Sequence, residues 1–275
     1  MSDLRLRARS VTEIVDAAFQ LYKRDVIEYL LVTAIAYAPW VVAQLVFMRG
    51  FSLVAPARIG ASSTATILLA LLGILAYALM SAVLSRFASD VYLERQTGLG
   101  MVIREVLPAV PRLIGATILF GLVLMLGFIP TVIGAGIGST ALVFIGILLS
   151  MFWMFYSFAR FFAVFQVIVL ENRGVIAAFT RSGVLSQGRK GHIILTLLLV
   201  FVIFIVLSTA IAMVASLMGS AAGSVVLQSL YTVVAYPLIG ITQMILYYDT
   251  RIRAEGFDIE VMTGALESPT PSTAS

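Results

Sequence analysis

Arg160 is the only charge set deep in an apolar stretch of this sequence. An ionisable group inside a membrane is costly unless it is paired or reaches the headgroups, so it marks a candidate site for an ion or a substrate. Glu28 follows Asp25 at the start of another apolar run and could relay protons, cap a helix or pair with an arginine. Glu171, His192 and Asp249 stand where apolar runs end, and they could gather at one surface as acid–base groups. His192 is the single histidine, and cysteine is absent. A metal site or a histidine-based general-base pair normally draws on more donors than that. No catalytic residue, cofactor or metal is therefore assigned.

These residues need a scaffold, and the composition specifies its class. Of the 275 residues, 61% are hydrophobic and 12% charged. A soluble domain carries about 25% charged residues, so this chain cannot cover a water-facing surface of its size. Uncharged runs cover 29–48, 59–85, 113–159 and 193–248, with lengths of 20, 27, 47 and 56 residues. A helical span takes about 20 residues. The first two runs hold one span each. The last two hold two each, folded back at Gly134–Gly138 and Gly219–Gly223. The expectation is an all-α membrane protein with spans at about 26–48, 65–85, 113–133, 140–162, 193–217 and 224–248. Backbone groups in lipid must be satisfied internally, and the strand-like alternation of a barrel is missing. The chain reads as one polytopic domain over 1–262, followed by a small, polar, proline-containing tail at 263–275 that is expected to be disordered.

Fifteen of the eighteen basic residues fall in the terminal segments and in the second and fourth loops, and two, Arg49 and Arg58, fall on the other side. The positive-inside rule then places both termini in the cytoplasm. The expected location is the cytoplasmic membrane.

Residues 10–22 carry an apolar stripe at Val11, Ile14, Val15, Ala18, Phe19 and Tyr22, with capping-box spacing between Ser10 and Glu13. An amphipathic helix in the headgroup layer is predicted. Short amphipathic runs recur at Gly100–Leu107 and Gly174–Leu185, each ahead of a pair of spans. Three units, each an amphipathic helix followed by a hairpin, describe the chain. Ordinary interfacial helices between hairpins would produce the same pattern, so both readings stay open. At the last span, Tyr247 and Tyr248 are expected in an aromatic belt. Asp249–Arg253 and Arg251–Glu255 have i, i+4 spacing, and Gly256 is the expected stop.

Arg160 has two open placements. If the fourth helix is long and tilted, Arg160 lies well inside the bilayer. If it ends near Phe162, Arg160 reaches the headgroups and 163–170 lies at the interface. A structural role, as a snorkelling residue or a partner of Glu28, is the expected one. Glu171 is expected to anchor the joint after the fourth span through hydrogen bonds. Gln44, Gln166, Gln228 and Gln243 could line a polar path or bond helix to helix, and Gly115, Gly121, Gly127, Gly134 and Gly138 suit close helix packing. Pro39, Pro130 and Pro237 could mark transporter-like breaks, and kinks in ordinary spans are the commoner explanation.

The run VIVLENRGVIAAFTRSGVLSQGRKG, with Glu171, Gly174, Arg181-Ser182 and Arg189-Lys190, resembles the signature of the membrane domain named after glycerophosphoryl diester phosphodiesterases. The C-terminal LYYDTRIRAEGFDIEVM, with Asp249, Arg251 and Arg253, resembles that family's ending, and SVTEIVDAAFQLYKRD its opening. The resemblance implies a six-span membrane protein. Some relatives fuse the domain to a catalytic phosphodiesterase barrel; no stretch of this chain could supply one, so that activity is not expected.

The functional expectation is a non-enzymatic membrane module: a scaffold, accessory or lipid-associated domain. Its partners are membrane lipids and a membrane or cytoplasmic protein at the inner face, with no nucleic acid. The alternative is a transporter or channel component using an intramembrane polar site around Arg160.

Overall fold

The structure, a computed structural model, describes residues 7–54, 62–93, 95, 98–217 and 219–256. The expected tail at 263–275 and Arg58 lie outside the described residues. The helices in order are α1 (Val11–Arg24), α2 (Val26–Val54), α3 (Ser62–Tyr92), α4 (Leu99–Val106), α5 (Val110–Leu126), α6 (Ile129–Ile137), α7 (Thr140–Arg160), α8 (Val164–Leu170), α9 (Val175–Leu185), α10 (Lys190–Ser216) and α11 (Ala221–Glu255). A 3-10 turn, Leu107–Ala109, joins α4 to α5. Among the described residues, six stretches are long and apolar enough to cross a membrane. The protein is an all-α membrane protein, with α1, α4 and α9 standing ahead of its three pairs of spans.

Local signals account for many boundaries. Ser10 and Glu13 form the predicted capping box on α1. Gly138 and Gly256 close α6 and α11 in the left-handed conformation, with φ of 75° and 67°, which costs glycine little. In the turn after α8, the left-handed residue is Asn172, at φ 53°, and not Gly174. α2 and α11 run on through Pro39 and Pro237 as helix.

The third and fourth spans depart from the expected single rods. The third breaks at Gly127-Phe128 into α5 and α6, with Pro130 in the first turn of α6. That position suits proline, whose missing N–H would have no helical partner there. The fourth ends at Arg160, and α8 follows after a three-residue turn. α8 is enclosed by protein. Val164, Gln166, Val167 and Ile168 are buried, and the helix packs against α3, α5 and α9.

The packed core lies in one half of the bundle. It gathers Ile14, Leu21, Tyr29, Phe87, Leu113, Ile168, Leu185, Ile193, Ile241 and Tyr247. Toward the other end the helices meet chiefly as hairpins. In α2–α3, Trp40 lies on Gly73. In α10–α11, the Tyr231 hydroxyl donates to the carbonyl of Phe204 at 2.6 Å. In α6–α7, a Cβ on Gly134 would stand 2.7 Å from the Leu142–Val143 backbone, and one on Gly146 2.5 Å from Thr131. Glycine is what lets these two helices touch. Gly127 lies against Trp153 and Gly115 against Val175, whereas Gly121 meets no neighbour. In α10, Phe201, Val202, Ile205, Val206, Leu207, Met213 and Val214 are all exposed. A helix apolar all round and unburied is one surrounded by lipid.

The apolar stripe of α1 is covered by protein and not left for lipid. Ile14, Val15, Ala17, Ala18 and Leu21 are buried, so its apolar face is spent on protein, chiefly α11. The backbone N–H of Arg9 reaches Asp249, and the Tyr22 hydroxyl reaches the carbonyl of Val234. These anchors span about 20 Å on each helix at 1.5 Å per residue, so α1 lies lengthwise along α11, antiparallel to it. The Arg9 contact also brings the two ends of the described chain to the same face of the bundle. Tyr247 and Tyr248 likewise leave the expected lipid-facing belt, because both are buried in the core.

Candidate functional site at the basic face

Three polar clusters occupy the face that carries the chain ends. The first is built around Glu171, at the end of α8. Its Oε2 accepts from Arg173 Nε at 2.8 Å and from Arg181 Nε at 3.1 Å. Its Oε1 accepts from the Tyr247 hydroxyl at 2.9 Å. Arg181, on α9, passes its other two nitrogens to Glu255 at the end of α11, with Nη2–Oε2 at 2.8 Å. Arg251 Nε donates to the same Glu255 at 3.3 Å, and its Nη1 approaches the Tyr247 hydroxyl at 3.5 Å. Glu171, Arg181, Glu255, Arg251 and Tyr247 therefore close a ring that ties α8, α9 and α11. Hydrogen bonding to Glu255, and then to Glu171, holds the Arg181 guanidinium above the ordinary arginine range, against the opposing effect of burial. Arg181 thus remains a cation. Arg112 Nη1 donates to the carbonyls of Asn172 and Arg173 at 3.0 and 3.3 Å, fixing α5 to the same joint.

The second cluster surrounds Asp249, which is 1% exposed. Its Oδ1 accepts the Arg9 N–H at 2.6 Å, and its Oδ2 meets Arg253 Nε at 2.8 Å and His192 Nε2 at 3.3 Å. Arg253 Nη2 closes the cluster by donating to the Arg9 carbonyl at 2.6 Å. His192, on α10, comes within 3.3 Å of this carboxylate without a hydrogen bond to it.

The third cluster surrounds Arg160, at the C-terminus of α7. Ser182 Oγ donates to the Arg160 carbonyl at 3.0 Å and accepts from Ala163 N–H at 3.1 Å, so one buried hydroxyl holds the turn between α7 and α8. The Arg181-Ser182 pair thus splits its work, the arginine closing α9 on α11 and the serine closing α9 on α7. Arg160 Nη1 donates to the Tyr156 hydroxyl at 3.1 Å, and its guanidinium lies 5.6 Å from the Phe161 ring centre. The expected partnership with Glu28 is not formed. Glu28 is exposed on the first turn of α2, and no ion pair joins the two. α7 alone is 21 residues long, about 31 Å, enough to cross the hydrocarbon layer. Arg160 is the last residue of that length, while the apolar stretch itself runs on through α8 to Leu170.

One further group went unassigned from the sequence. Asp90, buried near the end of α3, pairs with Arg86 at 3.2 Å, and Arg86 reaches Glu105 on α4 at 2.8 Å. The i, i+4 spacing of Arg86 and Asp90 was the available signal. Deeper in the bundle, Gln166 Nε2 donates to Ser85 Oγ at 3.3 Å and to Gln243 Oε1 at 3.4 Å, while its Oε1 meets no donor among the described residues. Gln166 and Gln243 thus bond helix to helix.

Chemically, the first two clusters are clasps. Their carboxylates each face two or more donors and join helices distant in sequence. Nothing matches this chain among family models, curated proteins or solved structures.

Proposed function

We propose that this chain is a non-enzymatic integral membrane module of the cytoplasmic membrane, with both termini in the cytoplasm. Its packed half serves as a platform at the inner face for lipid and for a membrane or cytoplasmic protein partner. The observation that carries this reading is the fate of the reactive side-chain types. Glu171 and Arg181, and Asp249 with Arg9 and Arg253, are engaged in clasps that join helices. The resemblance to the membrane domain named after glycerophosphoryl diester phosphodiesterases agrees with it, since Glu171, Arg181-Ser182 and Asp249 fall in the motifs that carry that likeness.

Co-purification in mild detergent tests the module. A partner retained by the wild type and lost with Arg173→Glu, on the rim of the clasp, is the expected result. A solitary protein that drives substrate flux in liposomes would refute it. Sidedness is separately accessible because the chain lacks cysteine. Cysteine at Thr12 should label only from the cytoplasmic side, and cysteine at Thr140 only from the other.

A transport reading has one observation in its favour, the buried polar seam of Ser85, Gln166 and Gln243 between α3, α8 and α11. Reconstituted flux that disappears with Gln166→Leu would establish it.

A further inference from the structure

Two cations at the end of α7 differ from the clasped arginines. Arg173, Arg181, Arg251 and Arg253 each meet a carboxylate. Arg160 and Lys190 meet none among the described residues, yet both converge on one tyrosine. Arg160 Nη1 donates to the Tyr156 hydroxyl at 3.1 Å, and Lys190 Nζ stands 4.7 Å from the Tyr156 ring centre. Two like charges gathered on one ring repel each other, and cation–π contact offsets that only in part. Ser182 fixes the backbone of Arg160. No side-chain carboxylate among the described residues offsets the two charges.

Position selects the chemistry of an anion that would offset them. Arg160 closes a helix about 31 Å long, and Lys190 opens α10 beside it, where α7 and α10 are in contact. From that end inward, Phe152, Phe155 and Phe158 on α7 and Leu195 and Leu198 on α10 are exposed. An anion seated on Arg160 and Lys190 thus has apolar surface directly beneath it. A phosphate with acyl chains satisfies both parts, whereas free phosphate satisfies only the first.

We infer that Arg160, Lys190 and Tyr156 form a binding site for the phosphate of an anionic phospholipid, whose acyl chains lie along the exposed faces of α7 and α10. The guanidinium and ammonium face the phosphate oxygens. The Tyr156 hydroxyl accepts from Arg160 and has its own proton to donate. The inference deepens the module reading and rests on it in taking α7 and α10 as lipid-facing.

The test is native mass spectrometry of the purified full-length protein. The probes are phosphatidylglycerol, phosphatidylcholine and, as the soluble arm, glycerol 3-phosphate. The wild type should retain phosphatidylglycerol in preference to phosphatidylcholine and should not bind glycerol 3-phosphate at the same concentration. Each cation near a membrane surface is worth about a fivefold change in affinity. Lys190→Gln should therefore cut the preference about fivefold and Arg160→Gln/Lys190→Gln about thirtyfold. The charge-keeping pair Arg160→Lys/Lys190→Arg should retain most of it. Should the double variant misfold, Lys190→Gln alone decides, since its side chain enters no clasp. Equal retention of both lipids by the wild type, an unchanged preference in Lys190→Gln, or equal binding of glycerol 3-phosphate would overturn the site. Loss of lipid preference with a partner still bound fails the site and leaves the module. Lipid preference together with substrate flux fails the module and leaves the site.

Discussion

The backbone N–H of Arg9 donates to Oδ1 of Asp249 at 2.6 Å, joining residues 240 positions apart. The bond closes the first described residues onto the last span and anchors one end of α1 along α11. Arg253 reinforces it from the other side, donating to Asp249 at 2.8 Å and to the Arg9 carbonyl at 2.6 Å.

Asp249→Ala removes the acceptor of the buried Arg9 N–H, while the partly exposed Arg253 guanidinium keeps its bond to the Arg9 carbonyl. Stability should fall by about 1–3 kcal/mol. Denaturant unfolding in detergent measures the loss, and protease cleavage before Val11 should quicken in parallel. Asp249→Asn keeps one acceptor oxygen and should cost less.

Ser182→Ala deletes one hydroxyl that serves both the Arg160 carbonyl and the Ala163 N–H. Two buried backbone groups lose their partner, at a cost of about 1–3 kcal/mol. A thermal unfolding series should rank it well below substitution of the exposed Thr180 to alanine, which sits on the same helix and bonds only within its own turn.

Glycine substitutions should split by neighbour and not by residue type. In Gly146→Ala the new methyl would stand 2.5–2.8 Å from the Pro130–Thr131 backbone, so α6 and α7 must part, at about 1–3 kcal/mol. Gly121→Ala meets nothing within 4 Å and should be neutral or stabilising by up to about 1 kcal/mol. Melting temperatures of the two variants decide this.

The capping box of α1 should respond to acid. The Arg7 hydrogen bond, then the Ser10 N–H, hold the Glu13 carboxyl down to about 2, from an ordinary 4.5. A depressed carboxylate contributes its stabilisation fully above the ordinary value and loses it as pH falls toward the lowered one. Amide exchange at the start of α1, corrected for intrinsic rates, should be steady above pH 4.5 and rise between pH 4.5 and 2. Glu13→Gln should abolish that dependence.

Much of this architecture was legible in the linear chain. Six spans, three leading amphipathic helices, the capping box at Ser10–Glu13 and the stop at Gly256 follow from short-range rules: apolar run length, helical period and local backbone freedom. So do Asp249–Arg253 and Arg251–Glu255, which are one helical turn apart. Run length could not show where a helix breaks inside an apolar stretch. The split between α5 and α6, and the burial of α8, therefore came only with the structure.

Side-chain partners belonged to tertiary structure for the same reason. Which carboxylate meets Arg181, why Arg160 passes over Glu28 for Tyr156, and why Tyr247 turns inward depend on how helices distant in sequence are set side by side. A stripe such as Ile14–Leu21 states that it must be covered, because water is excluded from apolar surface whatever the cover. Lipid and protein satisfy it alike, and only the packing of α1 along α11 chose protein.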